Sequence, residues 1–187
     1  MQFNARKDTI ILLPETLDQR LKNLARVRDE TFGCIIYSVR QDVGSYQCVN
    51  AATIYTITGG DSPKGSFIDE SVKLIPQRFC STNTNFGYFE FHTHPLGTPY
   101  FSNADKRYFT EEIKKNPHYF HLLVTPKMPP NNYILWKSPE IKSLSIAISE
   151  VPENFNQIEQ EIQRDLRLTE QRLGNQRQRI GTTRRRR

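Results

Sequence analysis

The hydrophobic pattern opens with a short apolar run from Thr9 to Leu13, β-branched at its start and stopped by Pro14, which predicts a strand. The period then changes. Leu17, Leu21, Leu24 and Val27 recur at steps of four and three, which predicts a helix from about Glu15 to Arg28 with one apolar face. Cys34, Ile35, Ile36 and Tyr37 make a continuous run within Thr31 to Arg40, as suits a central strand covered on both faces. Tyr46 to Thr58 is rich in Val, Thr, Ile and Tyr and predicts another strand. Gly59-Gly60-Asp61-Ser62-Pro63 closes it with the strongest loop signal in the chain.

Phe67 to Cys80 is ambiguous, although Ile68, Val72 and Ile75 would share a short helix face. Phe86 to Phe91 is an aromatic strand pattern that runs into His92-Thr93-His94-Pro95. A loop follows, from Leu96 to Phe101. Ser102 then opens a helical pattern through Lys115, with Phe109 and Ile113 four apart, and Asn116-Pro117 ends it. Tyr119 to Thr125, Tyr133 to Lys137 and Ile141 to Ile148 predict three more strands, the first two separated by proline-rich Pro126 to Asn132. Beyond Pro152, the residues Phe155, Ile158, Ile162, Leu166, Thr169 and Leu173 lie on one narrow stripe. They predict a long amphipathic helix, fraying beyond Gly174, that docks on the body or pairs with another helix. The chain thus divides into a body, residues 1–149, and a C-terminal helix with a basic tail, residues 150–187. Strands alternating with helices point to an α/β or α+β sandwich around a mixed sheet.

Composition narrows the classes. No apolar run approaches the roughly 20 residues that a membrane-spanning helix needs. Met1 to Lys7 lacks the apolar core of a signal peptide, so the expected location is the cytoplasm. Cys34, Cys48 and Cys80 are odd in number and far apart, which argues against a disulfide framework and an all-cysteine zinc site. The net charge of +6 owes much to Arg184 to Arg187. That tail reads as a solvated, disordered end, able to bind nucleic acid only non-specifically.

The chemistry concentrates in His92-Thr93-His94-Pro95, six further residues, and Ser102-Asn103-Ala104-Asp105. Positions i and i+2 of a strand share a face, so His92 and His94 form a ready pair of zinc ligands. A loop of this length can fold back and bring Asp105, one turn into the next helix, to the same point. Two histidines and one carboxylate leave the fourth tetrahedral position open, the layout of a catalytic zinc site. Each half has a plainer meaning: a polar pair at a strand end, and an S-x-x-D helix cap.

The whole pattern, H-x-H-P-x6-S-x-x-D, resembles the signature of the JAMM (MPN+) zinc metallopeptidases, and the chain is similar to their stand-alone, prokaryotic-like members. In that family a distant Glu precedes an apolar stretch that begins with Gly, and Glu30-Thr31-Phe32-Gly33-Cys34-Ile35-Ile36 matches. Leu122-Leu123-Val124-Thr125-Pro126 resembles the family's strand after the motif helix. The resemblance covers roughly residues 10–148. It implies a three-layer sandwich similar to the cytidine deaminase fold and one zinc per chain on His92, His94 and Asp105. It also implies a zinc-activated water as nucleophile, with Glu30 as general base and Ser102 as donor to the oxyanion. The bond implied is the amide after the C-terminal tail of a ubiquitin-like modifier, cleaved in deconjugation or precursor processing. Residues 59–66 and 126–132 are the candidate loops for gripping that partner.

Alternatives stay open at this point. By spacing alone Glu30 reads as an exposed acid ending the first helix. Glu90, two residues before His92, shares the histidines' face as a partner to one of them or as half of an ion pair. His118 and His121 read as non-ligands. A catalytically silent scaffold of the same fold is the alternative function, although such members usually lack the ligands kept here. Self-association or partner docking through residues 155–173 is a further expectation. A nucleobase deaminase needs H-x-E and P-C-x-x-C, both absent.

Overall fold

A computed structural model of the chain describes residues 8–27, 29–56, 71–95, 98–126 and 132–184, with the backbone alone at 39–41, 71–72 and 175–184. The elements run β1 (Asp8–Pro14), α1 (Glu15–Leu24), β2 (Phe32–Val43), β3 (Tyr46–Thr56), α2 (Ser71–Thr82), β4 (Gly87–Thr93), α3 (Asn103–Lys115), β5 (Phe120–Val124), β6 (Tyr133–Lys137), β7 (Ser143–Ser149) and α4 (Phe155–Arg184). The strands form one mixed sheet in the order β6-β5-β4-β2-β3-β1-β7. β1 runs parallel to β3 and β7, and β4 parallel to β5; the remaining pairs are antiparallel. The expectation of an α/β architecture with a mixed sheet is met. Among the described residues no helix is long and apolar enough to cross a membrane.

The strand alternation sorts the core into two faces. Ile35, Phe89, Phe91, Leu122 and Val124 point to one side and pack with Leu17, Leu21 and Ala25 of and beside α1. Their neighbours in sequence point to the other. There Ile36 meets Ile75 and Phe79 of α2 and Ile162 and Leu166 of α4. At the β5–β6 end of that second face, Leu123 packs with Phe101 and Phe109 of the α3 segment. Glu90, His92 and His121 lie on this second face, among helices.

Gly87 lets the strands close at this point: a Cβ there would stand 2.2 Å from the Tyr37 ring on β2. Three boundaries differ from the sequence expectation. α1 stops at Leu24, short of Arg28, because Arg26 N–H donates to Asn23 O and Val27 N–H to Leu24 O, a tighter i→i−3 turn that ends the α-ladder. The ambiguous segment 67–80 is helical from Ser71 onward, as part of α2, a helix of 12 residues that runs on to Thr82 and carries Pro76 inside it. α4 continues past Gly174 to Arg184. Its stripe docks on the body: Phe155, Ile162 and Leu166 are buried. The proposed substrate loops fall largely outside the described residues, as do Arg185 to Arg187 of the basic tail.

Candidate metal centre

β4 carries the histidines to the end of the sheet. His92 sits opposite Phe32 of β2 and Leu123 of β5, the penultimate residue of its strand. His94 follows just beyond, held by its backbone N–H donating to Val124 O at 2.9 Å. Thr93, facing the other way, clamps the segment that leads into β2. Its N–H donates to Thr31 O at 2.9 Å, and its hydroxyl accepts from Thr31 N–H at 2.8 Å. That clamp fixes the backbone beside Glu30, whose Oε1 lies 3.8 Å from His94 Nε2.

α3 delivers the carboxylate. Ser102 caps the helix, its hydroxyl accepting from Asp105 N–H at 3.1 Å while Asp105 Oδ2 accepts from Ser102 N–H at 2.7 Å. This reciprocal capping box orients the Asp105 side chain back toward β4. Asp105 Oδ1 is then 3.6 Å from His92 Nε2, and Oδ2 is 3.7 Å from His94 Nε2. The two Nε2 atoms are 3.1 Å apart. His92, His94 and Asp105 each offer one ligand atom, all within 4.8 Å of one another. The structure brings together His92, His94, Asp105 and Glu30, the residues that the sequence pattern singled out. Ser102 is seen here as the cap; its hydroxyl hydrogen is not used by that bond.

These residues fit a zinc ion on their own chemistry. Ligand atoms about 2.0–2.1 Å from zinc at tetrahedral angles stand roughly 3.3 Å from each other, the range of separations seen here. His94 Nδ1 faces the Thr98 carbonyl at 3.1 Å. A carbonyl only accepts, so the hydrogen is on Nδ1 and Nε2 presents a lone pair to the site. Burial, then the neighbouring His92, holds His94 below the ordinary histidine pKa, which favours the neutral ring that a metal would need. Burial alone would raise Asp105, but the His92 ring beside it, when protonated, and hydrogen bonding from Ser102 outweigh that and hold it below the usual carboxylate range.

Behind His92 lies a feature that sequence reasoning passed over. His121, fully buried on β5, has its Nε2 2.7 Å from His92 Nδ1. Its Nδ1 is 2.8 Å from the Tyr119 hydroxyl, which donates to Glu90 Oε2 at 3.0 Å. Tyr108 of α3 donates to the same oxygen at 2.9 Å, and Lys73 Nζ stands 3.6 Å from Oε1. Burial drives Glu90 above the ordinary carboxyl value, opposed by Lys73 and the two tyrosines. Glu90 thus reaches His92 indirectly and also faces a lysine. The signal for His121 was its side of the sheet: on parallel neighbours, Glu90 pairs with His121 and His92 with Leu123, which sets His121 beside both.

No family model matches the chain, and no curated protein matches it. Among solved structures the chain is similar to the solution structure of protein DSY2949 from Desulfitobacterium hafniense, at 19% identity and a TM-score of 0.54, over 78% of this chain and 96% of that one. Likeness at that identity shows a shared α/β fold and nothing about chemistry.

Proposed function

We propose that this chain is a zinc-dependent peptidase or isopeptidase of the JAMM type, hydrolysing the amide bond after the C-terminal tail of a ubiquitin-like modifier. The observation that carries the reading is the convergence of His92 Nε2, His94 Nε2 and the Asp105 carboxylate within 4.8 Å, with Glu30 beside them. Those three residues would hold the ion. When bound, zinc supplies Lewis-acid polarisation and brings the pKa of water toward neutrality, to about 7.

The chain's own residues do the rest. Glu30, one-third exposed and adjoining His94, accepts the proton of the attacking water and returns it to the leaving nitrogen. The Ser102 hydroxyl, whose oxygen accepts from Asp105 N–H, donates its hydrogen to the carbonyl oxygen as negative charge develops there. Thr93 holds the Glu30 segment against β4, so base and ligands keep one geometry.

The test begins with metal. Purified chain should hold close to one zinc and cleave ubiquitin-like fusions at the junction. His92→Ala or Asp105→Ala should lose the zinc. Glu30→Gln should keep it and lose turnover by about 10²–10⁴-fold, the usual worth of a positioned general base. A fully active Glu30→Gln removes Glu30 from that role. A chain that takes up no zinc after reconstitution overturns the reading and favours a silent scaffold.

A further inference from the structure

Three polar side chains stand in line behind His92, on the side away from His94 and Asp105, and the proposed chemistry uses none of them. Their hydrogen bonds have one consistent direction. At the far end Glu90 Oε2 accepts from two hydroxyls, Tyr119 and Tyr108, and Oε1 faces the Lys73 ammonium. Lys73 also donates to the Tyr108 hydroxyl at 2.8 Å, so that hydroxyl too must spend its hydrogen on Glu90. The Tyr119 hydroxyl has a single hydrogen, and it goes to Glu90. Toward His121, 2.8 Å away, that oxygen can only accept, so His121 carries its hydrogen on Nδ1. A neutral imidazole has one N–H, which leaves His121 Nε2 as an acceptor. Its neighbour at 2.7 Å, His92 Nδ1, is therefore the donor.

We infer that Glu90, Tyr119 and His121 form a polarised row that fixes the tautomer of His92, with hydrogen on Nδ1 and the Nε2 lone pair turned toward His94 and Asp105, making all three positioning residues for the metal. The inference rests on the metal reading of the site and adds how one ligand is aimed. The opposite polarity would put a hydrogen on His92 Nε2, where it would bond His94 Nε2 at 3.1 Å and leave no lone pair for a metal. With the hydrogen on Nδ1 the two Nε2 lone pairs face each other at that distance, an arrangement that a bound cation relieves. Partners that fix a ligand's ring in this way are worth about 10–100-fold in metal affinity. Here the partner of the ligand is a second histidine, and the anion that sets the direction is two bonds further on.

The chain has four histidines, so long-range proton–nitrogen correlation of their rings is readable in the zinc-free, ¹⁵N-labelled protein. The expected spectrum has His92 and His121 both protonated at Nδ1 and bare at Nε2 near pH 7.5. In Tyr119→Phe and in Glu90→Gln, which can donate and so reverse the row, the His92 resonances should move toward the other tautomer. Zinc affinity, measured by competition with a chelator, should fall by about 10–100-fold in both variants. His118→Gln, outside the row, should bind zinc as the wild type does. His92 protonated at Nε2 in the wild type, or unchanged zinc affinity in both row variants, overturns the inference. A wild-type chain without zinc affinity overturns the proposed function instead, and the zinc-free spectrum still decides the tautomer.

Discussion

His121 has no exposed surface, and its environment resists a second proton. Burial, and then the neighbouring His92, pushes its pKa well below the ordinary 6.5. The consequence for stability has a definite sign. In the unfolded chain His121 takes up a proton as the pH falls through about 6.5, while in the folded chain it stays neutral, so the unfolded state binds more protons there. Stability is therefore complete above that value and declines as the medium is acidified, with a slope for this one group of at most about 1.4 kcal/mol per pH unit. Urea unfolding of the zinc-free chain at pH 7.5, 6.5 and 5.5 should show the decline, and His121→Gln should show a shallower one. Identical slopes in the two proteins would mean that His121 is protonated in the fold. The same residue marks a limit of reading sequence. His92, His94 and Asp105 were legible because strand period and helix cap are local rules. His121 takes its meaning from which strand lies beside β4, and no spacing along the chain encodes that.

At the scale of elements, two strands and one helix end make the site: β2 behind, β4 carrying the histidines, and the N-terminus of α3 closing over them. The β2–β4 pairing is close at Gly33. A Cβ there would stand 2.6 Å from the Tyr55 carbonyl oxygen and 2.7 Å from the Phe91 ring, with Thr56 Cγ2 at 2.9 Å. Two of those contacts are on β3 and one on β4, so an added methyl cannot be relieved by moving a single flexible chain end. Gly33→Ala should destabilise the fold by about 1–3 kcal/mol, as overpacking of a well-filled core does. Because Phe32 pairs with His92 next door, the same variant should bind zinc less tightly. Thermal unfolding and chelator competition would read the two effects, and wild-type values for both would show that the strands part without cost. Element boundaries were legible where one strong signal fixed them, as at Ser102 and Pro14. They were not where tertiary packing overrides a local breaker: α2 carries Pro76 yet holds its turn because Ile75 and Phe79 are buried against β2 and α4.

At the scale of the whole molecule, the question is how far α4 belongs to the body. Its stripe was legible as amphipathic, but amphipathicity says only that a face needs covering. Here Ile162 and Leu166 cover the second sheet face together with α2, and Phe155 reaches the first core beside Leu17 and Leu21. Polar bonds lock the register: Gln163 donates to Thr53 Oγ1 at 2.7 Å and to Ile54 O at 3.0 Å, and Glu159 pairs with Arg20 of α1. Burying one large apolar side chain is worth about 1.5–3 kcal/mol, so the three together approach the 5–15 kcal/mol by which a whole domain is stable. Removing residues 150–187 should therefore leave a chain that does not fold cooperatively and binds no zinc, although His92, His94 and Asp105 are still present. Removing residues 175–187 takes none of these buried groups and should leave the unfolding midpoint and the zinc stoichiometry unchanged. Denaturant unfolding and metal content of the two truncations separate the cases. If the longer deletion folds and keeps its zinc, α4 is an appendage free to serve a partner; if it does not, the helix is part of the fold that holds His92 and Asp105 in place.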